Sequence, residues 1–183
     1  SVANRNKTNV EVKSKDVTIS ETVIPTADMT LLCDVAEGDT SSSRTGLDNH
    51  LLSLQITGDI VYNDSSSDPT KVCVQLVQDR RIAGANPAYT DIWETDTCTS
   101  LRNNINTHRF KVLKTFNFFL SDQVPARHIK YYYKFKHPMK MTWQGSNAGT
   151  GNLSGNGVFL IHKSDDVTNP PTLNLDCRAR FIA

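Results

Sequence analysis

Lys130, Lys134 and Lys136 recur at alternate positions of one strand-like run, with Tyr132 in the same row. Side chains two residues apart share a face of a strand, so this run presents a line of cations around one aromatic ring. Cations set against phosphates, with a ring under a base, bind nucleic acid without reading its sequence. Such binding weakens steeply with salt. The same residues on a solvated edge strand would serve only to discourage strand pairing. Arg178 and Arg180 repeat the spacing on the polar face of the last strand-like run, and Arg5, Lys7, Lys13 and Lys15 add cations near the N-terminus. The candidate nucleic-acid contacts are therefore Arg5, Lys7, Lys13, Lys15, Lys130, Tyr132, Lys134, Lys136, Arg178 and Arg180.

Asp79-Arg80-Arg81 closes another apolar run. Its arginines are suited to bidentate hydrogen bonds, either to a neighbouring subunit or within the chain to fix the loop that follows. Tyr89 and Trp93 lie in that loop, and aromatic residues of this kind anchor interfaces. Arg80, Arg81, Tyr89 and Trp93 are the candidate subunit contacts.

Other chemistry is weakly represented. Asp165-Asp166 and the Asp64/Asp68 pair have the carboxylates that calcium takes, but no EF-hand spacing, and loop formation is the simpler role. His50, His108, His128, His137 and His162 show no ligand spacing; His162 follows a buried-looking strand and reads as a packed or interface residue. Cys33, Cys73, Cys98 and Cys177 form no CxxC or Cys/His cluster, so the spacing predicts no zinc site and buried thiols rather than disulfides. With no phosphate-cradling loop and no nucleophile beside a base motif, no catalytic residue, metal ligand or cofactor is assigned.

The elements that carry these residues are strands. Leu52, Leu54, Ile56 and Ile60 alternate with polar residues, as do Ile129, Tyr131, Tyr133 and Phe135, and Leu173, Leu175, Cys177, Ala179 and Phe181. Further runs lie at Val17–Ile24, Met29–Cys33, Lys71–Gln78, Arg109–Leu120, Met139–Trp143 and Val158–Ile161. Turn-rich segments separate them and no βαβ unit occurs. Residues 82–107 lack strand periodicity, though Thr90 could cap one helical turn over Thr90–Glu94; a loop of that length is functional or an interface element. The pattern predicts an all-β fold, an eight-stranded jelly-roll sandwich of two four-stranded antiparallel sheets. Residues 1–15 read as an N-terminal arm and 16–183 as a single jelly-roll domain.

Composition agrees with one domain. The 183 residues are 38% hydrophobic with a net charge of +1, so there is no global basic field. No apolar run approaches a membrane span, and no membrane partner is expected. Ser1 in place of methionine is expected of a processed or longer product.

The stretch Val72–Phe181 resembles the coat proteins of geminiviruses and related single-stranded circular DNA viruses. The residues that carry the resemblance are Leu76-Val77-Gln78-Asp79-Arg80-Arg81, Arg102-Asn103, Arg109-Phe110-Lys111-Val112-Leu113-Lys114, the lysine-and-aromatic run His128–Phe135, Asn169-Pro170 and Arg178-Ala179-Arg180-Phe181. Gly38-Asp39, Arg44-Thr45-Gly46 and the strand with Leu52, Leu54, Ile56 and Gly58 resemble coat proteins of the satellite tobacco necrosis virus type. The departures are the lack of an arginine-rich arm or Cys/His finger and of positions matching satellite-virus calcium sites. The resemblance implies a viral capsid protein that self-assembles into a small icosahedral (T=1) shell. It would enclose viral nucleic acid, with single-stranded DNA favoured over RNA. The expected location is the virion, with the host cell nucleus a stage of assembly. The alternative is a carbohydrate-binding jelly-roll module using the loop Trp143-Gln144-Gly145-Ser146-Asn147.

Overall fold

A computed structural model describes residues 10–82 and 84–183. Arg5, Lys7 and most of the expected arm lie outside the described residues. Eight strands follow in chain order: β1 (Val12–Thr22), β2 (Asp28–Leu31), β3 (Asp48–Val61), β4 (Thr70–Asp79), β5 (Phe110–Leu120), β6 (Ala126–Thr142), β7 (Gly157–Ser164) and β8 (Thr172–Ile182). One helical turn, α1 (Tyr89–Ile92), interrupts the loop between β4 and β5. No helix among the described residues is long and apolar enough to cross a membrane.

The strands form two antiparallel four-stranded sheets of order β1-β8-β3-β6 and β2-β7-β4-β5. This is the expected eight-stranded jelly-roll sandwich. Consecutive strands repeatedly cross from one sheet to the other, so the core forms between layers that neither half of the chain could build alone. Alternation supplies the inner rows. In β8, Leu173, Leu175, Cys177, Ala179 and Phe181 are buried, while Asn174, Asp176, Arg178 and Arg180 are exposed. Facing them across the sandwich, Val72, Val74, Leu76, Val158 and Leu160 complete the core.

Several boundaries differ from the sequence reading. β1 begins at Val12, so Lys13 and Lys15 belong to a strand and not to an arm. In β3 the register shifts between Leu51 and Ser53, and this irregularity puts Leu51 in the core in place of Leu52. β6 runs unbroken through Pro138. As the edge strand of its sheet, with its register to β3 irregular at that point, β6 can hold a proline that donates no ladder bond. α1 is capped through Asp91, whose carboxylate accepts the Ala88 N–H at 2.9 Å, and not by Thr90.

Loops gather at two ends. At one, Tyr62 N–H donates to Pro125 O, Val23 N–H to Pro171 O, and Asn169 Nδ2 to Ser65 O. At the other, Glu37 N–H donates to Ser146 O and Gly84 N–H to Leu153 O. Arg44 ties this second end together. It is fully buried, its guanidinium donates to the carbonyls of Val35, Gly46 and Gly145, and it lies over the Trp143 ring at 5.3 Å. Trp143 in turn donates its indole N–H to the buried Asn49 at 2.7 Å.

The long loop, described over 80–82 and 84–109, folds back over the outer side of β4 and β7. Lys163 on β7 is buried; it pairs with Asp96 of the loop and lies 4.7 Å from the Tyr89 ring centroid. Gln75 on β4 donates to the Tyr89 hydroxyl at 3.5 Å, and Cys98 donates to Lys163 O. This cover explains why every residue of β7 is buried and why its sequence reads apolar on both faces.

Candidate nucleic-acid face and subunit contacts

With the outer side of β4 and β7 covered, the outer face of the β1-β8-β3-β6 sheet is a broad open surface of the sandwich. Its rows follow from the register. Arg180 and Lys134 both pair with Ser53, Arg178 and Tyr132 both pair with Gln55, and Asp176 and Lys130 both pair with Thr57. Strands two apart in a sheet are about 10 Å apart, so the lysine row of β6 and the arginine row of β8 share one face across β3. The structure thus assembles Lys130, Tyr132, Lys134, Arg178 and Arg180 from two runs separated in the sequence. Tyr132 is exposed, its ring open to a stacking partner. Lys136 is exposed where the β3–β6 register is irregular, beyond the end of the regular row.

The face is charged unevenly. Arg178 donates to both oxygens of Asp16 at 2.7 and 2.6 Å, and this pair holds the Asp16 carboxyl below its usual range. Arg178 is therefore already neutralised, which its spacing did not reveal. His128 meets Asp59 at 2.8 Å, and Thr18 donates to Asp176. Lys130, Lys134, Lys136 and Arg180 have no ion-pair partner among the described residues.

Lys13 and Lys15 need correction as members of this face. Alternation in β1 puts Lys13, Lys15, Val17, Ile19 and Glu21 on the row opposite Asp16 and Thr18. Lys13 is buried and donates to Thr45 Oγ1 at 3.5 Å, so it is spent inside the protomer.

The expected subunit contacts divide in the same way. Tyr89 and Trp93 are buried within the protomer, with ring centroids 6.3 Å apart. They anchor their own loop on the sheet beneath and offer nothing to a neighbour. Arg80 and Arg81 are exposed. Asp79 instead holds Arg109, through bonds of 3.0 and 2.8 Å to its two carboxylate oxygens. Arg80 reaches His108 O at 3.5 Å and neither arginine has an ion-pair partner among the described residues, while Asp79 closes the base of the loop from inside.

Two groups of residues suited to contact were missed. Leu101 and Ile105 are 74% and 82% exposed in the long loop, on backbone held by the Trp93–Arg102 bridge and the Asn103 side chain, which accepts from Ile105 N–H. Single apolar residues inside polar loop sequence were the available signal. The second group lies along the edge where β5 and β6 approach. Phe116, Phe118, Tyr131, Tyr133 and Phe135 are partly buried and pack in succession, with centroid distances of 6.2, 5.7, 6.5 and 4.9 Å. Lys114 lies over two of these rings. Alternation put Tyr131, Tyr133 and Phe135 on one row, but only sheet order reveals that the five aromatics sit at an open edge.

The remaining expectations are settled by local bonds. Asp166 accepts from Ser66, Thr70 and the N–H groups of Thr168 and Asn169; it organises the loops at its end of the sandwich. These bonds, the Asn169 N–H foremost, lower its carboxyl below the usual range. The four cysteines are buried free thiols. Burial pushes Cys33 and Cys177 up to about 12. Trp143, the centre of the carbohydrate alternative, is only 1% exposed and offers no ring face to a sugar.

No family model matches the sequence, and no curated protein matches it. Among solved structures, the chain aligns with the T13 particle of infectious bursal disease virus at 10% identity and a TM-score of 0.22, over 93% of this chain and 38% of that one. It aligns with the VP2 subviral particle of the same virus at 12% identity and a TM-score of 0.16, over 94% and 41%. A third alignment, to the structure of the Gx strain, has 12% identity and a TM-score of 0.15, over 93% and 41%. These weak neighbours come from viral particles, and the chain spans about two-fifths of their length. Alignments at such scores do not carry the assignment of the fold, which rests on the chain's own strand order.

Proposed function

We propose that this chain is a viral capsid subunit whose copies close into a small icosahedral shell, of the T=1 class, around single-stranded nucleic acid, with DNA favoured. The supporting observation is the asymmetry of the sandwich. In one sheet the central strands β4 and β7 are covered by a loop that displays Leu101 and Ile105, while the other sheet presents an open polar face bearing Lys130, Tyr132, Lys134, Lys136 and Arg180. A lone binding module has no use for both features. A shell subunit does: apolar loop residues and sandwich edges meet sister copies, and a basic face lines the interior. Each contact need supply only a few kcal/mol, because closure makes every contact depend on the rest.

Nucleic-acid contact is tested by exposing purified protein to labelled single-stranded DNA over a salt series. Binding should weaken with salt, and the double variant Lys130→Glu/Lys134→Glu should bind at least tenfold more weakly with a shallower salt dependence. Each lost phosphate contact removes about 0.7 from the logarithmic slope. Equal binding by parent and variant would place the contact elsewhere. Nucleic acid extracted from assembled particles after nuclease treatment distinguishes DNA from RNA.

A further inference from the structure

At the open edge formed by β1 and β2, one from each sheet, three ligand-type side chains converge from distant parts of the sequence. Glu21 lies near the end of β1, on the same row as the buried Ile19. Asp28 opens β2 and pairs directly with His162 of β7. His162 shares its row with Leu160, opposite the Lys163 that meets the long loop. Ligand atoms of Glu21, Asp28 and His162 all lie within 4.8 Å of one another. They line a cavity of about 490 Å³ whose walls include Thr22 and Thr26.

His162 is the unusual member. It is only 2% exposed, yet neither ring nitrogen has a hydrogen-bond partner among the described residues. Its Nε2 stands 3.7 Å from Glu21 Oε2, too far for a hydrogen bond. A buried polar group left without a partner costs about 1–3 kcal/mol, and such groups are found where a ligand supplies the missing bond. The two carboxylates pose the complementary problem. Hydrogen bonding to Asp28 and partial burial raise the Glu21 carboxyl above its usual range, while Asp28 is lowered. Burial lowers the His162 imidazole below its ordinary value, against the opposing pull of Asp28.

We infer that Glu21, Asp28 and His162 form a binding site for a divalent transition-metal ion of the zinc class, bridging the two sheets at the β1–β2 corner. Metal bonds of about 2.0–2.2 Å put neighbouring ligands of a tetrahedral site about 3.4 Å apart. The present spacing, within 4.8 Å, would contract to that by rotation of the partly exposed Glu21 and the exposed Asp28 about their side-chain bonds. One imidazole and two carboxylates leave a fourth position for water, facing the cavity. Calcium would take six to eight oxygens and has little use for an imidazole nitrogen. Bound metal would satisfy His162, neutralise the repelling carboxylates and link β1, β2 and β7 across the layers. The sequence hid the site because its ligands are separated by 7 and 134 positions.

The test uses the full chain, stripped with chelator, in calorimetric titrations with zinc chloride and in absorption spectra with cobalt(II). The parent should bind one tight equivalent, show tetrahedral cobalt bands and melt at a higher temperature with zinc than without. Glu21→Gln/Asp28→Asn should weaken that equivalent at least tenfold without lowering the metal-free melting temperature, because both side chains reach solvent. His162→Gln should abolish the cobalt bands; if it fails to fold, the carboxylate double variant decides alone. Absence of a tight equivalent in the parent, or its persistence in the double variant, overturns the site. Tighter binding of calcium than of zinc at these residues overturns the metal class.

Discussion

Replacing Asp79 by alanine would leave the Arg109 guanidinium without its two charge-assisted bonds at the base of the long loop. Asp79 is fully buried and Arg109 is 28% exposed on its side chain, so the loss falls where water cannot fully replace it. Breaking a buried pair by removing one partner costs about 3–5 kcal/mol, and partial exposure puts the expected loss near the lower figure. Urea denaturation of Asp79→Ala should show this; Arg80→Ala and Arg81→Ala should change stability by less than about 0.5 kcal/mol. His162 gives a second residue-scale prediction. Burial holds its folded value below the ordinary one of about 6.5, so the unfolded chain takes up the proton first. Its contribution is complete above that ordinary value and is lost as pH falls through the lowered folded value. Melting temperatures of metal-free protein from pH 8 down to about 5.5 should decline, and His162→Gln should flatten the decline.

Among the elements, β3 is the most constrained, because it pairs with both β6 and β8. Gly58 sits opposite Leu175 with φ +151°, and an added Cβ would lie 2.0 Å from Asn174 O. No side-chain rotation relieves a clash with backbone, so Gly58→Ala must push β8 away from β3. The expected cost is 3 kcal/mol or more, at or above the top of the usual overpacking range of about 1–3 kcal/mol, read as a lowered denaturation midpoint. Strands such as β8 were legible because one face is buried and the other wet, which is what an alternating sequence records. β7 and β4 were legible only as apolar runs, since the long loop buries their second face. The roles of Tyr89 and Trp93 were not legible, because an aromatic in a loop serves its own sheet or a neighbour's with the same sequence. Pairings such as Asp16–Arg178 and Asp79–Arg109 depend on sheet order, and nothing in local spacing encodes that order.

At the scale of the molecule, the account separates residues that hold the protomer from residues that join protomers. Leu101 and Ile105 are exposed and make no contribution to the core. Leu101→Asp/Ile105→Asp should therefore leave the melting temperature of the protomer within about 2 °C of the parent while reducing assembly at least tenfold by light scattering. Variants of the β6 lysines should assemble but carry less nucleic acid. The central claim is closure of many copies into one shell, and sedimentation velocity of the purified chain across salt and pH tests it most directly. The account predicts a sharp, fast-sedimenting boundary many times the 20.4 kDa chain mass, dissolved by Leu101→Asp/Ile105→Asp. A species of 20.4 kDa under every condition would contradict it.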